Sequence, residues 1–169
     1  MNDLQVLPAT PDDRVPVARM LELYQHDLSD VWDQDLDLHG EYGYALDRYW
    51  GRPAHHAFVF RVAGRYAGFA LVDDAVRLPE NQIWLAQFFV IKKYRGRGVG
   101  RAAARAVFDA VRGRWEVGQM PMNVAAQAFW RRVLGAYTDG RFTERDFRDL
   151  HDDRWHGLLH CFDNSVHEG

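Results

Sequence analysis

The stretch Arg95-Gly96-Arg97-Gly98-Val99-Gly100 carries the densest chemical signal in the chain, three glycines within five residues flanked by basic side chains. Glycine reaches positive φ without strain and lets a ligand approach main-chain N–H groups with no Cβ in the way. A buried strand is expected before this stretch and a helix after it. The first N–H groups of that helix and the positive end of its dipole then point at the same place. Lys92, Lys93, Arg95, Arg97, Arg101 and Arg105 add positive charge, and residues 92–105 hold no acid. A tight turn with solvated arginines would explain any one of these features. Their coincidence predicts a site for a phosphorylated ligand.

Three phosphate-binding patterns compete for this stretch. A P-loop needs Gly-Lys-Ser/Thr at its end, and here Gly100 is followed by Arg101 and Ala102. A dinucleotide fingerprint fits the letters of Gly98-Val99-Gly100-Arg101-Ala102-Ala103, with Glu116 as the acid for the ribose. That turn should follow its strand directly, yet Lys92 to Arg95 intervene, so the dinucleotide reading is a minor alternative.

The elements around the loop follow from periodicity and punctuation. Pro11 and Pro16 bracket the start of a first helix running to about Asp27, with Thr10 and Asp13 as a capping signal. The acidic stretch 27–41 reads as a loop, and a short helix is expected over about 41–51. Residues 57–63 and 66–73 form a hairpin around Gly64-Arg65. Residues 82–91 are almost continuously apolar, as a strand buried on both faces should be. Helical spacing of Val99, Ala103, Ala106, Val107 and Ala110 predicts a helix over 99–112. A strand over 114–119, a helix over 123–134 and strands near 141–148 and 155–162 complete a mixed α/β sheet with helices on both faces.

The third pattern is Arg95-x-x-Gly98-x-Gly100 after a strand ending Phe88-Phe89-Val90. It resembles the acetyl-CoA signature of the GNAT superfamily of N-acetyltransferases. Asn123-Val124-Ala125-Ala126-Gln127-Ala128-Phe129-Trp130 resembles a later helix motif of the same family, in the same order and at a plausible separation. With the hairpin, the resemblance covers about residues 10–147. It implies one GNAT domain over 1–169, with a mostly antiparallel sheet of six to seven strands and acetyl-CoA as co-substrate. By that resemblance, the backbone of Phe88, Phe89 and Val90 meets the pantetheine arm. The N–H groups of Arg95, Gly96, Arg97, Gly98, Val99, Gly100 and Arg101 cradle the pyrophosphate. Asn123, Phe129 and Trp130 contact the lower arm and thioester, and the fourth and fifth strands splay to admit it. An amine then attacks the acetyl carbonyl directly.

Where many family members place a tyrosine that protonates the departing thiolate, this chain has Trp130. An indole N–H donates a hydrogen bond but supplies no proton. Tyr137 is the next tyrosine along. The mid-strand carboxylate that often serves as base is replaced by Gln87, which leaves Glu80 and Glu116 as candidates by chemistry alone. No catalytic residue is assigned from sequence. This departure motivates an alternative: a CoA-binding module that senses or scaffolds without turnover.

Two other clusters invite a ligand reading. Asp33-x-Asp35-x-Asp37 fails as an EF-hand, because positions 6 and 12 are Leu38 and Tyr44. The acidic, aromatic segment with Trp32, Tyr42 and Tyr44 is either a solvated loop or a surface for a cationic amine. His151, His156, His160 and Cys161 lack the spacing of a zinc finger, so no metal is expected.

The chain has 169 residues, 47% hydrophobic and 27% charged, with a formal net charge of −3. That is globular, and too acidic outside residues 92–105 for bulk attraction to nucleic acid or anionic membrane. A lone cysteine, Cys161, and an N-terminus without a signal-peptide layout predict the cytoplasm. The expected partner is a small-molecule or peptide amine, with no nucleic acid and no membrane; a homodimer is an assembly this reading allows.

Overall fold

The computed structural model describes residues 3–148 and 155–165. Among them, β1 (Leu4–Pro8), β2 (His56–Val62), β3 (Arg65–Asp73), β4 (Ile83–Val90), β5 (Arg114–Gln119), β6 (Thr143–Arg148) and β7 (His156–Asp163) form one sheet in the order β1-β2-β3-β4-β5-β7-β6. Only β4 and β5 run parallel; the other neighbours are antiparallel. The helices are α1 (Arg14–Trp32), α2 (Val99–Ala110) and α3 (Val124–Tyr137). One parallel pair in an antiparallel sheet is not the doubly wound sheet a dinucleotide fold requires. A 3-10 turn at Lys92–Tyr94 also separates β4 from the glycine loop, so the dinucleotide reading falls.

Burial on both faces explains why the central strands are apolar almost throughout. Helix α1 covers one face, where Val17, Met20 and Leu21 pack with Val59, Phe69, Leu71 and Phe89. Helices α2 and α3 cover the other, where Val107, Phe108, Trp130 and Leu134 pack with Phe58, Phe60, Val90, Trp115 and Phe162.

Two expectations need correction, and one element is unforeseen. Helix α1 continues to Trp32, so the first part of the acidic stretch is helical rather than loop. Its stop is Asp33 at φ 49, whose N–H bonds Ser29 O. An aspartate tolerates this left-handed cap, so the glycine that usually marks a helix end is missing. The helix expected over 41–51 shrinks to a 3-10 turn at Asp47–Trp50. Strand β1, which periodicity alone does not announce, pairs along the outer edge of β2.

Glu116 does structural work. Its side chain is fully buried and accepts hydrogen bonds from Arg77 N–H (2.6 Å), Leu78 N–H (2.8 Å) and Asn81 Nδ2 (3.0 Å). It thereby pins the β3–β4 connection to β5. Glu116→Gln replaces one acceptor oxygen with a donor and leaves a backbone N–H unpaired, at a cost of about 1–3 kcal/mol. A lowered urea midpoint with unchanged slope is the expected result.

Candidate active site

Strands β4 and β5 pair only at Ile83–Trp115 and Trp84–Glu116 and then part. The cause is visible in the β3–β4 register, where Leu71 faces Gln87 and Val72 faces Leu85. Ala86 is therefore an extra residue on β4, and such a bulge bends and twists its strand. The parting opens a cleft of about 770 Å³, lined by β4, the end of β5, the glycine loop, α3 and one side of α1. Gly118 lies on its β5 wall, where any Cβ would strike the rings of Trp84 and Trp155.

The β4 edge facing this cleft has free backbone groups. Ile91 N–H bonds Ala67 O on the β3 side. Strand groups alternate between edges, so Phe89 also faces β3, and the N–H and C=O groups of Phe88 and Val90 face the cleft. Val90 O is already taken by Arg95 Nε at 2.6 Å. An extended ligand lying along β4 therefore finds Phe88 N–H, Phe88 C=O and Val90 N–H. This corrects the expectation for Phe89, whose backbone belongs to β3; its ring packs under α1 against Tyr24 at 5.4 Å.

The glycine loop ends at the start of α2. Gly96 (φ 71) and Gly98 (φ 79) are left-handed, and Gly98 is the N-cap. The first helical bond runs from Ala102 N–H to Gly98 O. Val99, Gly100 and Arg101 thus keep N–H groups with no helical acceptor, and no acid occupies the first turn. Gly100 touches the Phe129 ring, and a Cβ there would sit 3.3 Å from it. This cradle of donors suits a phosphate.

Of the residues singled out from sequence, Phe88, Phe89, Val90, Arg95, Gly96, Gly98, Gly100, Arg101, Asn123, Phe129 and Trp130 all border the cleft. The side chains of Arg97 and Val99 do not: Arg97 is exposed and Val99 is buried against the core. Asn123 caps α3, accepting from Ala126 N–H at 3.2 Å. Arg132, Tyr24 and Asp27 also stand on the cleft wall and are not expected there from sequence; Tyr24 and Asp27 fall within the helix read from the sequence, and nothing local marks the face that meets the cleft.

Arg95 is less free than a phosphate ligand would be. Its guanidinium donates to Asp27 Oδ2 at 2.7 Å, and Lys92 Nζ lies 3.3 Å from Asp27 Oδ1. Burial alone would raise the Asp27 carboxyl, but the bonds from Arg95 and Lys92 outweigh it and hold the group below the usual range. A depressed folded pKa contributes stability above the unfolded value of about 3.9, and that contribution is lost as pH falls through the folded value. Asp27→Asn should therefore flatten the loss of melting temperature below about pH 4; an unchanged acid limb would contradict the tie.

The acid–base candidates resolve differently. Trp130 is buried, edge-on to Phe88 at 5.1 Å and to Phe129 at 4.9 Å. Tyr137 lies away from the cleft, packed on Phe108, with its hydroxyl donating to Asp109 at 2.9 Å. Glu116 is consumed by the loop it holds, and Glu80 is an exposed partner of Arg145 at 3.1 Å. Neither glutamate borders the cleft. Gln87 does, facing the α1 side with its cross-strand partner Leu71.

Of the histidine–cysteine cluster, His151 lies outside the described residues. Buried His160 bonds Glu144 through Nε2 at 2.7 Å, and Glu144 is clamped by Arg131. Cys161 points to the opposite face of β7. Among the described residues, no three His, Cys, Asp or Glu side chains are placed to hold a metal.

The model of the acetyltransferase (GNAT) family matches residues 17–136. No curated protein matches the chain. Among solved structures, an acetyltransferase from Thermus thermophilus is similar at TM-score 0.65 and 20% identity, covering 95% of this chain and 97% of that one. The Salmonella typhimurium protein yncA, solved with its cofactor acetyl-CoA, is similar at 0.66 and 16%, covering 99% and 98%. A ribosomal-protein-alanine N-acetyltransferase from Brucella melitensis is similar at 0.63 and 19%, covering 93% and 97%. The parted strands, the free β4 edge and the donor cradle at α2 fit the co-substrate of that family, and the chain belongs to the GNAT acetyltransferases, which use acetyl-CoA.

Proposed function

We propose that this protein transfers the acetyl group of acetyl-CoA directly to the primary amine of a cationic small molecule or peptide. The observation that carries the reading is the β4 edge: the unpaired N–H and C=O of Phe88 and the N–H of Val90 lead toward the N–H cradle at Gly98–Arg101. One strand edge can bind the pantetheine amides and the helix start the pyrophosphate, which leaves the thioester in the crotch between β4 and β5. With no nucleophilic Ser or Cys on the cleft wall among the described residues, attack by the acceptor nitrogen on the acetyl carbon is the route the site favours. Arg101 and Arg132 add positive charge beside the path of the phosphates.

The acidic segment supports a cationic acceptor. Asp30, Asp33, Asp35 and Glu41 are exposed around the end of α1, with Trp32 beside them. Asp37 instead stabilises its own turn, accepting from the N–H groups of His39 and Glu41. The Brucella neighbour's name describes acetylation of an alanine of a ribosomal protein, an amine acceptor on a related fold. A cytoplasmic location goes with this reading.

A second reading, CoA binding without turnover, is favoured by one observation: neither Trp130 nor any cleft carboxylate other than the tied Asp27 offers the usual acid and base. Free-thiol release from acetyl-CoA over a panel of polyamines, aminoglycosides, amino acids and peptides separates the two. Turnover that is fastest with polycationic amines supports the transferase; CoA binding with no thiol release on any amine supports the binding module. Thermal stabilisation by NAD(P) in preference to CoA would contradict both.

A further inference from the structure

Among the described residues that line the cleft, one side chain carries a hydroxyl: Tyr24, from the middle of α1. We propose that the Tyr24 phenol donates a hydrogen bond to the departing sulfur of CoA, the task that Trp130 has no hydroxyl to perform. The inference rests on the acetyltransferase reading above.

The geometry holds the phenol in place. Its ring packs against Phe89 at 5.4 Å and Phe69 at 6.4 Å. Phe89 is the residue between Phe88 and Val90, whose free backbone groups would hold the pantetheine arm. Tyr24 therefore approaches the arm from the α1 face while Trp130 and Phe129 approach from the other. The charged and titratable groups around it are Asp27 one turn along α1, Arg95 from the glycine loop and Tyr44 from the segment after α1. Burial pushes the phenol up to about 12, partly offset by Arg95. A phenol this weakly acidic stays protonated at neutral pH and donates without giving up its proton.

The step balances without further reactants. The acceptor nitrogen bonds the acetyl carbon, and the carbon–sulfur bond breaks with its electron pair passing to sulfur. The nitrogen sheds a proton to water. The thiolate leaves held by the Tyr24 O–H and takes a proton from water afterwards. A thiol of pKa about 8.5 is a fair leaving group, so one charge-assisted hydrogen bond is help of the right size.

Tyr24→Phe keeps the ring in the core and removes only the donor. The first readout needs no turnover. The thiolate absorbance of bound CoA should titrate about one unit lower in the native protein than in the variant, the shift one such bond produces. The second is kinetic: kcat with acetyl-CoA should fall about ten- to hundredfold with KM for acetyl-CoA nearly unchanged. With an acetyl aryl thioester, whose thiol is far more acidic, the deficit should shrink to within about threefold. Identical thiol titrations in the two proteins, or a deficit equally large with both donors, would overturn the assignment. If native protein binds CoA but acetylates no amine, the transferase reading fails, and the thiol titration still decides the role of Tyr24.

Discussion

Gly98→Val should weaken CoA binding by about a hundredfold or more while the far-UV spectrum and melting temperature stay close to native. Gly98 sits at φ 79 as the N-cap of α2. A β-branched residue there costs about 1–3 kcal/mol of strain, which the loop relieves by turning its peptide groups. The N–H groups that would face the pyrophosphate then lose their aim, and each lost charge-assisted bond costs about 1.5–3 kcal/mol. A total near 3 kcal/mol is about a hundredfold in affinity. Val99 next to it is buried in the core, but most of the core contacts of α2 come from Ala103, Ala104, Val107 and Phe108, at least one turn on, so the fold is largely spared. Calorimetry with CoA on both proteins is the check, and equal affinities would remove the loop from the site.

The second large effect belongs to Trp130. Trp130→Ala empties a space between Phe88, Phe108 and Phe129, for which large aromatic truncations cost about 3–5 kcal/mol. The same truncation strips the wall of the cleft on the α3 side, so CoA affinity should fall along with stability. Trp130→Tyr separates packing from chemistry. The smaller ring keeps contact with Phe88 and adds a hydroxyl where the resembled family often has one. Turnover should then rise or stay near native, since general-acid help is worth about a hundredfold at most when the leaving thiolate is only mildly basic. A well-folded Trp130→Tyr that binds CoA normally and loses turnover would give the indole a specific role in shaping the acceptor pocket. Denaturant melts, calorimetry and thiol release on the two variants distinguish these outcomes.

Local chemistry made much of the framework legible. Positive φ at Gly96 and Gly98 is what a glycine-rich strand-to-helix turn demands, and the apolar run of β4 announces burial on both faces. Most of the misses depend on partners distant in sequence. Helix α1 runs past Asp27, which is tied to Arg95 and Lys92 from the glycine loop region, and ends at a left-handed cap on Asp33, with no glycine to mark it. Strand β1 is five residues with weak alternation, and it exists because β2 offers an open edge. The bulge at Ala86 is a property of the pairing with β3, invisible in β4 itself, yet it opens the cleft. Glu116 illustrates the opposite error. As a lone carboxylate near a motif it reads as a catalytic base, and only its three donors reveal a brace. Tyr24 could not be singled out because an aromatic on an amphipathic helix resembles any core residue until the cleft beside it is known.

In the proposed complex, CoA lies along the free edge of β4 with its pyrophosphate at the start of α2. The crystal structure of the CoA complex tests it most directly. Pantetheine amide groups are expected within about 3.2 Å of Phe88 N–H, Phe88 C=O and Val90 N–H, and pyrophosphate oxygens against the N–H groups between Gly96 and Arg101. Pantetheine placed outside the β4–β5 cleft, or phosphates bound away from the glycine loop, would contradict it.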